Sequence, residues 1–253
     1  MKRTLVSTLL ICTLGICKLL AAADITLIAP GGIRAAIEQM IPAFEKKTGH
    51  KVHATFGSGL GTKDQIARGD PFDVPIVQPP FEEIFASGNV INSSETALAH
   101  VAVGVAVRKG AVHPNISSAE AVKKMLLGAK AVSYPDPAGG AAAGVSFNQT
   151  MDKLGITQAM KFKIRLAQGG AGAMRLLAQG DVDIGLTFVS EIIMEPGVEL
   201  VGPLPASVST PTRLVGFIGS HSKVPKAAND LLDFLSSREA AKVYKERGMT
   251  PGR

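Results

Sequence analysis

The sequence predicts an α/β protein of two lobes, each a mostly parallel sheet flanked by helices, with two chain crossings between them. Three observations predict it. Short apolar runs alternate with helix-period segments along most of the chain. Four glycine-rich turns each follow a strand and open a helix, as in βαβ units. Two apolar strands, Val101–Val107 and Leu214–Ile218, each stand between one group of such units and another. These crossings divide the chain into lobe 1, residues 24–104 and 214–253, and lobe 2, residues 105–213.

The elements follow in order. Ile25–Ala29 is a short apolar strand. Pro30-Gly31-Gly32 turns it into a helix over Ile33–Thr48, with Ala36, Ile37, Met40, Ile41 and Phe44 on one face. Lys51–Phe56 alternates as a strand. Gly57-Ser58-Gly59-Leu60-Gly61 then opens a helix that Gly69-Asp70-Pro71 stops, and Asp73–Val77 is the next strand. Further strands are expected at Ala131–Ser133, Lys163–Leu166 and Ile184–Phe188. Further helices are expected at Ser118–Leu127, Gly144–Leu154, Ala171–Gln179 and Pro225–Arg247.

The N-terminus carries an address. Lys2 and Arg3 precede an apolar run, Thr4–Ile16, and Ala21-Ala22-Ala23 offers small residues for cleavage. This pattern reads as a secretory signal peptide over residues 1–23, with a periplasmic mature chain starting at Asp24. Cys12 and Cys17 both fall in the removed segment, so the mature chain is held by its core without disulfides. Loss of Lys2, Arg3 and Lys18 lowers the formal charge from +6 by three, to +3. The chain has no Trp and only two Tyr, Tyr134 and Tyr244, with no basic-aromatic interleaving to stack bases. A nucleic-acid partner is therefore not expected. No later segment is long and apolar enough to span a bilayer.

The glycine-rich turns carry the candidate function. A helix N-terminus leaves backbone N–H groups unpaired and presents the positive end of the dipole to anions. Glycines let a ligand approach that backbone closely. The other two turns are Asp136–Gly144 and Gly169–Gly172. In parallel sheets such turns gather at one edge, where ligands bind. Two turns from each lobe would face a ligand from both sides. The residues singled out here are Gly31, Gly32, Ser58, Gly59 and Gly144. Ser58 can serve as N-cap and ligand donor together. Arg34 and Lys63 lie in the first turns of helices, where a cation opposes the dipole; each meets either a charged ligand or solvent.

Signals for other chemistries are poor. No turn fits the phosphate-loop motif, and Gly59-Leu60-Gly61 lacks the third glycine of the dinucleotide fingerprint. Gly57-Ser58-Gly59 is not a nucleophile elbow. His50 and His53 have a metal-like spacing without an obvious third ligand. The expectation is a non-enzymatic chain with no catalytic residue, metal or cofactor.

The segments FGSGLGTKDQIARGDPFDVPIV at 56–77, DPAGGAAAGVSFNQTMDKLGI at 136–156, AQGDVDIGLTFVSEI at 178–192 and FLSSREAAKVYKERGMTP at 234–251 carry a resemblance. Over essentially all of Asp24–Arg253 the chain resembles bacterial periplasmic solute-binding proteins of the molybdate-binding type. Their fold is the two-lobed class II fold of ABC-transporter substrate-binding proteins. The resemblance implies a small anion held by uncharged donors, hinge closure, a partner permease and a monomeric receptor. It places the first-turn serine at Gly32, the second-turn serine within Ser58 and Gly59, the third-turn amide near Ala143 and the fourth near Gly170. The family's tyrosine falls at Phe188. Two hydroxyl donors are thus missing, at Gly32 and Phe188. Each charge-assisted hydrogen bond is worth roughly 1.5–3 kcal/mol, so a tetrahedral oxyanion loses affinity here. Gly31, Gly32, Gly139 and Gly140 enlarge the turns, and Arg34 or Lys63 would meet an added carboxylate. An organic carboxylate is favoured over molybdate. The alternatives left open are molybdate, tungstate or a sulfate-type oxyanion, a sensory or virulence accessory receptor, and a periplasmic enzyme acting on an anion.

Overall fold

The computed structural model describes residues 22–252. The expected signal peptide up to Ala21, with both cysteines, lies outside the described residues. The chain opens with β1 (Asp24–Pro30), a 3-10 turn at Gly31–Ile33, α1 (Arg34–Thr48), β2 (Lys51–Gly57), α2 (Gly59–Arg68), β3 (Val74–Val77), α3 (Glu82–Ala86) and β4 (Val90–Val101). It continues through β5 (Val103–Arg108), α4 (Ala119–Gly128), β6 (Val132–Pro135), α5 (Ala142–Leu154), α6 (Thr157–Met160), β7 (Ile164–Ala167), α7 (Gly169–Gln179), β8 (Ile184–Phe188), α8 (Val189–Ile192) and β9 (Val198–Pro203). It ends with β10 (Thr212–Gly219), α9 (Pro225–Leu235), α10 (Arg238–Glu246) and β11 (Met249–Pro251).

Two sheets form, in the orders β11-β4-β10-β3-β1-β2 and β7-β6-β8-β5-β9. Each contains the same parallel unit. β1 pairs with β2 and β3, and β6 pairs with β7 and β8, so the first strand of each unit lies between its second and third. This arrangement brings three strand C-termini of each unit to one edge. The remaining pairs are antiparallel, contrary to the expectation of mostly parallel sheets. The physical reason is connectivity. β5 and β10 are each reached by passing from one sheet to the other, without the helical crossover within a sheet that parallel pairing requires.

The two crossings also fall elsewhere than expected. The run Val101–Val107 divides at Ala102: Val101 pairs in the first sheet and Val103 in the second. β10 belongs to the first sheet alone, and residues 204–211 carry the return crossing. One apolar cluster joins Leu27, Ile37 and Phe44 to Leu186 and Phe147 through Val101 and Val103, so the seam between the lobes is itself packed.

The expected helix Pro225–Arg247 is two helices. Ser236 and Ser237 interrupt it, and the Ser237 hydroxyl accepts from the Ala240 N–H at 3.2 Å, capping α10. Buried Tyr244 donates from its hydroxyl to the Leu235 carbonyl at 2.9 Å, folding α10 back onto the end of α9. α2 stops at Gly69, φ 74°, a left-handed position that glycine reaches without steric cost.

Candidate functional site

The C-terminal strand edges of both parallel units face one another across a cleft of about 850 Å³. All four glycine-rich turns reach it. Pro30, Gly31 and Gly32 come from the end of β1, and Gly57, Ser58 and Gly59 from the end of β2. Gly139, Ala141, Ala142 and Ala143 follow β6, and Gln168, Gly169 and Gly170 follow β7. The end of β8 adds Phe188, and α8 adds Glu191.

Three of the four helical openings lack a side-chain cap. Pro30, Ala141 and Gln168 stand at the N-cap positions of the 3-10 turn, α5 and α7, and none accepts a capping hydrogen bond through its side chain. Their first N–H groups are therefore offered to whatever enters the cleft. α2 differs. Ser58 Oγ accepts from the Gly61 N–H at 3.0 Å, and the Leu60 N–H donates across the cleft to the Gly140 carbonyl at 3.2 Å. Thus Ser58 serves as the N-cap, with its residue still on the cleft wall.

The sequence-predicted residues separate into groups. Gly31, Gly32, Arg34, Ser58, Gly59, Ala143, Gly170 and Phe188 all line the cleft. Lys63 does not. It lies half-buried beside the cleft rather than on its wall; its Nζ donates to the Pro80 carbonyl at 2.7 Å, and desolvation lowers its proton affinity. Gly144 is buried behind the wall: a Cβ there would stand 2.0 Å from the Pro135 carbonyl oxygen. Its glycine serves helix-to-strand packing. Arg34 stands at the rim, its side chain 60% exposed. Its Nε donates to Glu38 at 2.8 Å and its guanidinium lies 5.4 Å from the Phe56 ring centre.

The space left by some glycines is already taken by protein. A Cβ on Gly32 would lie 2.7 Å from Cδ2 of Phe188. A Cβ on Gly140 would lie 2.3 Å from the Leu60 Cβ, so this glycine closes the cleft mouth. The expectation that Gly32 and Gly140 enlarge the turns for a ligand is corrected accordingly; Gly31 and Gly139 remain on the wall. The Tyr134 hydroxyl, which burial makes a weaker acid, donates to Asn148 Oδ1 at 2.8 Å.

Sequence reasoning missed Glu191. Its carboxylate accepts from the Thr187 hydroxyl at 2.5 Å and from the Phe188 backbone N–H. Burial is the largest influence and pushes its pKa above the ordinary carboxylate value. The neighbouring Ser190 hydroxyl donates across the seam to the Gly32 carbonyl at 2.7 Å. The available signal was position: Glu191 lies three residues beyond the C-terminus of a buried parallel strand. His50 and His53 do not converge. His50 Nδ1 accepts from the Ala23 N–H, whereas His53 faces Asp24 at 2.9 Å. Among the described residues there is no group of three His, Cys, Asp or Glu suited to a metal, and no helix long and apolar enough to cross a membrane.

A family model described as bacterial extracellular solute-binding protein matches residues 25–250. The chain belongs to this family. An aconitate isomerase from a Pseudomonas species is 32% identical over 235 residues, covering 90% of this chain and 87% of the relative. The molybdate-binding protein ModA of Azotobacter vinelandii is 29% identical over 234 residues, covering 90% of each chain. The solved periplasmic molybdate-binding protein of the same organism superposes with a TM-score of 0.75 at 20% identity, covering 89% of this chain and 98% of that one. The shared solute-binding fold has two lobes, consistent with the two sheets and the cleft between them.

Proposed function

We propose that this solute-binding protein captures a small organic carboxylate between its lobes in the periplasm and presents it to an ABC importer. The observation that carries the reading is the pairing of Gly32 with Phe188. Where the molybdate-binding type supplies two hydroxyls, this cleft has an aromatic ring packed against a bare backbone. An apolar wall suits the carbon skeleton of an organic anion and offers a tetrahedral oxyanion no hydrogen bond.

Two further features support it. The cleft volume of about 850 Å³ lies within the roughly 300–1,000 Å³ common for sites that hold organic ligands. The uncapped openings at Pro30, Ala141 and Gln168 come from both lobes and suit more than one carboxylate group. The relative named for aconitate, an unsaturated tricarboxylate, points the same way. The moving bodies are residues 24–101 with 212–253, and residues 103–203, hinged at Ala102 and the 204–211 link.

A thermal-shift screen tests the reading. Aconitate, citrate, tricarballylate and simple dicarboxylates are compared with molybdate, tungstate and sulfate. A ligand bound only by the folded state raises the melting temperature by mass action. Shifts with the carboxylates are expected. Shifts confined to the inorganic oxyanions would return the site to the chemistry of the molybdate-binding type.

A further inference from the structure

Glu191 places an acidic group, in addition to Asp136, in a cleft whose uncapped helical openings suit an anion. The fold takes several measures to hold it there. Thr187 and the Phe188 N–H both donate to its carboxylate. Gly170 makes room for it, because a Cβ at that position would lie 2.3 Å from Glu191 Oε2 and 2.4 Å from Thr187 Oγ1. Gly31, from the other lobe, faces the second oxygen, with a built Cβ 3.6 Å from Oε1. The carboxyl group thus stands where both lobes meet the ligand space.

For simple capture of an anion, this group is a disadvantage: when ionised it repels a ligand carboxylate across a poorly solvated gap. For moving a proton on the ligand, it is well placed. We infer that Glu191 is a catalytic acid–base that shifts a proton, and with it the double bond, on an unsaturated tricarboxylate bound in the cleft. The inference rests on the carboxylate reading above and extends it to chemistry.

The step is self-contained. Ionised Glu191 removes a proton from the ligand methylene that lies between a carboxylate and the carbon–carbon double bond. The C–H electron pair spreads over the three-carbon unit and the attached carboxylates. The uncapped N–H groups at the openings of α5 and α7 face the cleft and suit this spread negative charge. Glu191, now protonated, returns the proton to the far carbon of the unit. One C–H bond breaks and one forms, and the double bond moves by one position. Rebuilding it with the other geometry interconverts the cis and trans isomers. No oxidant, reductant or co-substrate is consumed. The raised proton affinity of Glu191 suits a group that must hold the proton in one half of the cycle and release it in the other. Asp136 and Arg34 are the other charged residues on the cleft wall.

The test uses the mature protein and its Glu191→Gln and Glu191→Asp variants. Each is incubated with cis-aconitate, and the isomer ratio is followed by proton NMR. Calorimetry with tricarballylate, which has no double bond to move, reports binding separately. The expected result is interconversion by the wild type, with a loss of about 100-fold or more in Glu191→Gln, the usual contribution of a positioned acid–base. Tricarballylate affinity stays within a few-fold, and Glu191→Asp falls between. Tricarballylate binding without interconversion by the wild type overturns the inference and leaves the carboxylate reading standing. So does a Gln variant as fast as the wild type. A Gln variant that loses tricarballylate binding assigns Glu191 to ligand holding and overturns the catalytic role as well. Absence of binding by both tricarboxylates to the wild type overturns the inference together with the reading beneath it.

Discussion

Phe188 occupies the space that a side chain at Gly32 would need, its Cδ2 lying 2.7 Å from a Cβ built there. Gly32 lies in the 3-10 turn that follows the first strand of one lobe, and Phe188 ends the last parallel strand of the other. Beside them Ser190 Oγ donates to the Gly32 carbonyl. The two departures from the molybdate-binding pattern are therefore one packing arrangement at the seam. Gly32→Ser alone should destabilise the fold by about 1–3 kcal/mol, the usual range for overpacking. In combination with Phe188→Leu the loss should be smaller than the sum of the two single losses, with a coupling of about 0.5–3 kcal/mol. Denaturant unfolding of the four proteins measures it, and strictly additive losses would show that the contact does not matter.

Glu191 gives stability a pH dependence of definite sign. Below the ordinary carboxylate value both folded and unfolded states hold the proton, and the group contributes nothing. As pH rises from that value to the raised folded-state value, the folded protein keeps a proton that the unfolded chain has lost, and stability falls. Above the raised value the loss is complete. Glu191→Gln removes the titration, although Thr187, the Phe188 N–H, Gly31 and Gly170 still surround the side chain. Its melting temperature relative to wild type should therefore rise as the pH increases above the ordinary carboxylate value. A difference that does not change with pH would contradict this.

The two basic residues near the first-lobe turns should behave differently. Lys63 is tied to the Pro80 carbonyl outside the cleft, so Lys63→Met should leave carboxylate affinity unchanged within a factor of about two. Arg34 is an exposed rim charge, and Arg34→Met should slow association and flatten its salt dependence. Stopped-flow binding at two ionic strengths separates the two. Equal effects from both variants would place Lys63 in the ligand's reach after all.

Much of the fold is legible in the sequence because it is local. Gly57-Ser58-Gly59 announces a turn and a cap, and the structure puts Ser58 at the N-cap of α2. The order of strands and helices follows from apolar runs and glycine stops. What is not legible depends on distance along the chain. Gly32 and Phe188 meet across more than 150 residues, so the first reads as open space and the second only as a lost hydroxyl. Lys63 has the spacing of a cleft residue, but its ammonium is held by the Pro80 carbonyl beside the cleft. The centre of β4, Asn92-Ser93-Ser94-Glu95, is too polar to announce a strand; it sits at a register shift, and the pairs that Ile91 and Thr96 make with β10 on either side hold it in the sheet. Glu191 looks like a surface acid until α8 turns it into the cleft.

Ligand capture should change the shape of the molecule. Leu60 and Gly140 already meet across the cleft mouth here, which describes a closed arrangement of the lobes. Small-angle scattering should give a larger radius of gyration without ligand than with a saturating carboxylate. Equal radii, with saturation shown independently, would count against hinge closure.

The most direct test is a calorimetric titration of the mature protein with aconitate, repeated in the presence of excess molybdate. A single site per molecule is predicted, with an apparent affinity that molybdate leaves unchanged. Tight molybdate binding that abolishes the aconitate heat, or binds where aconitate gives none, would contradict capture of an organic carboxylate between the lobes.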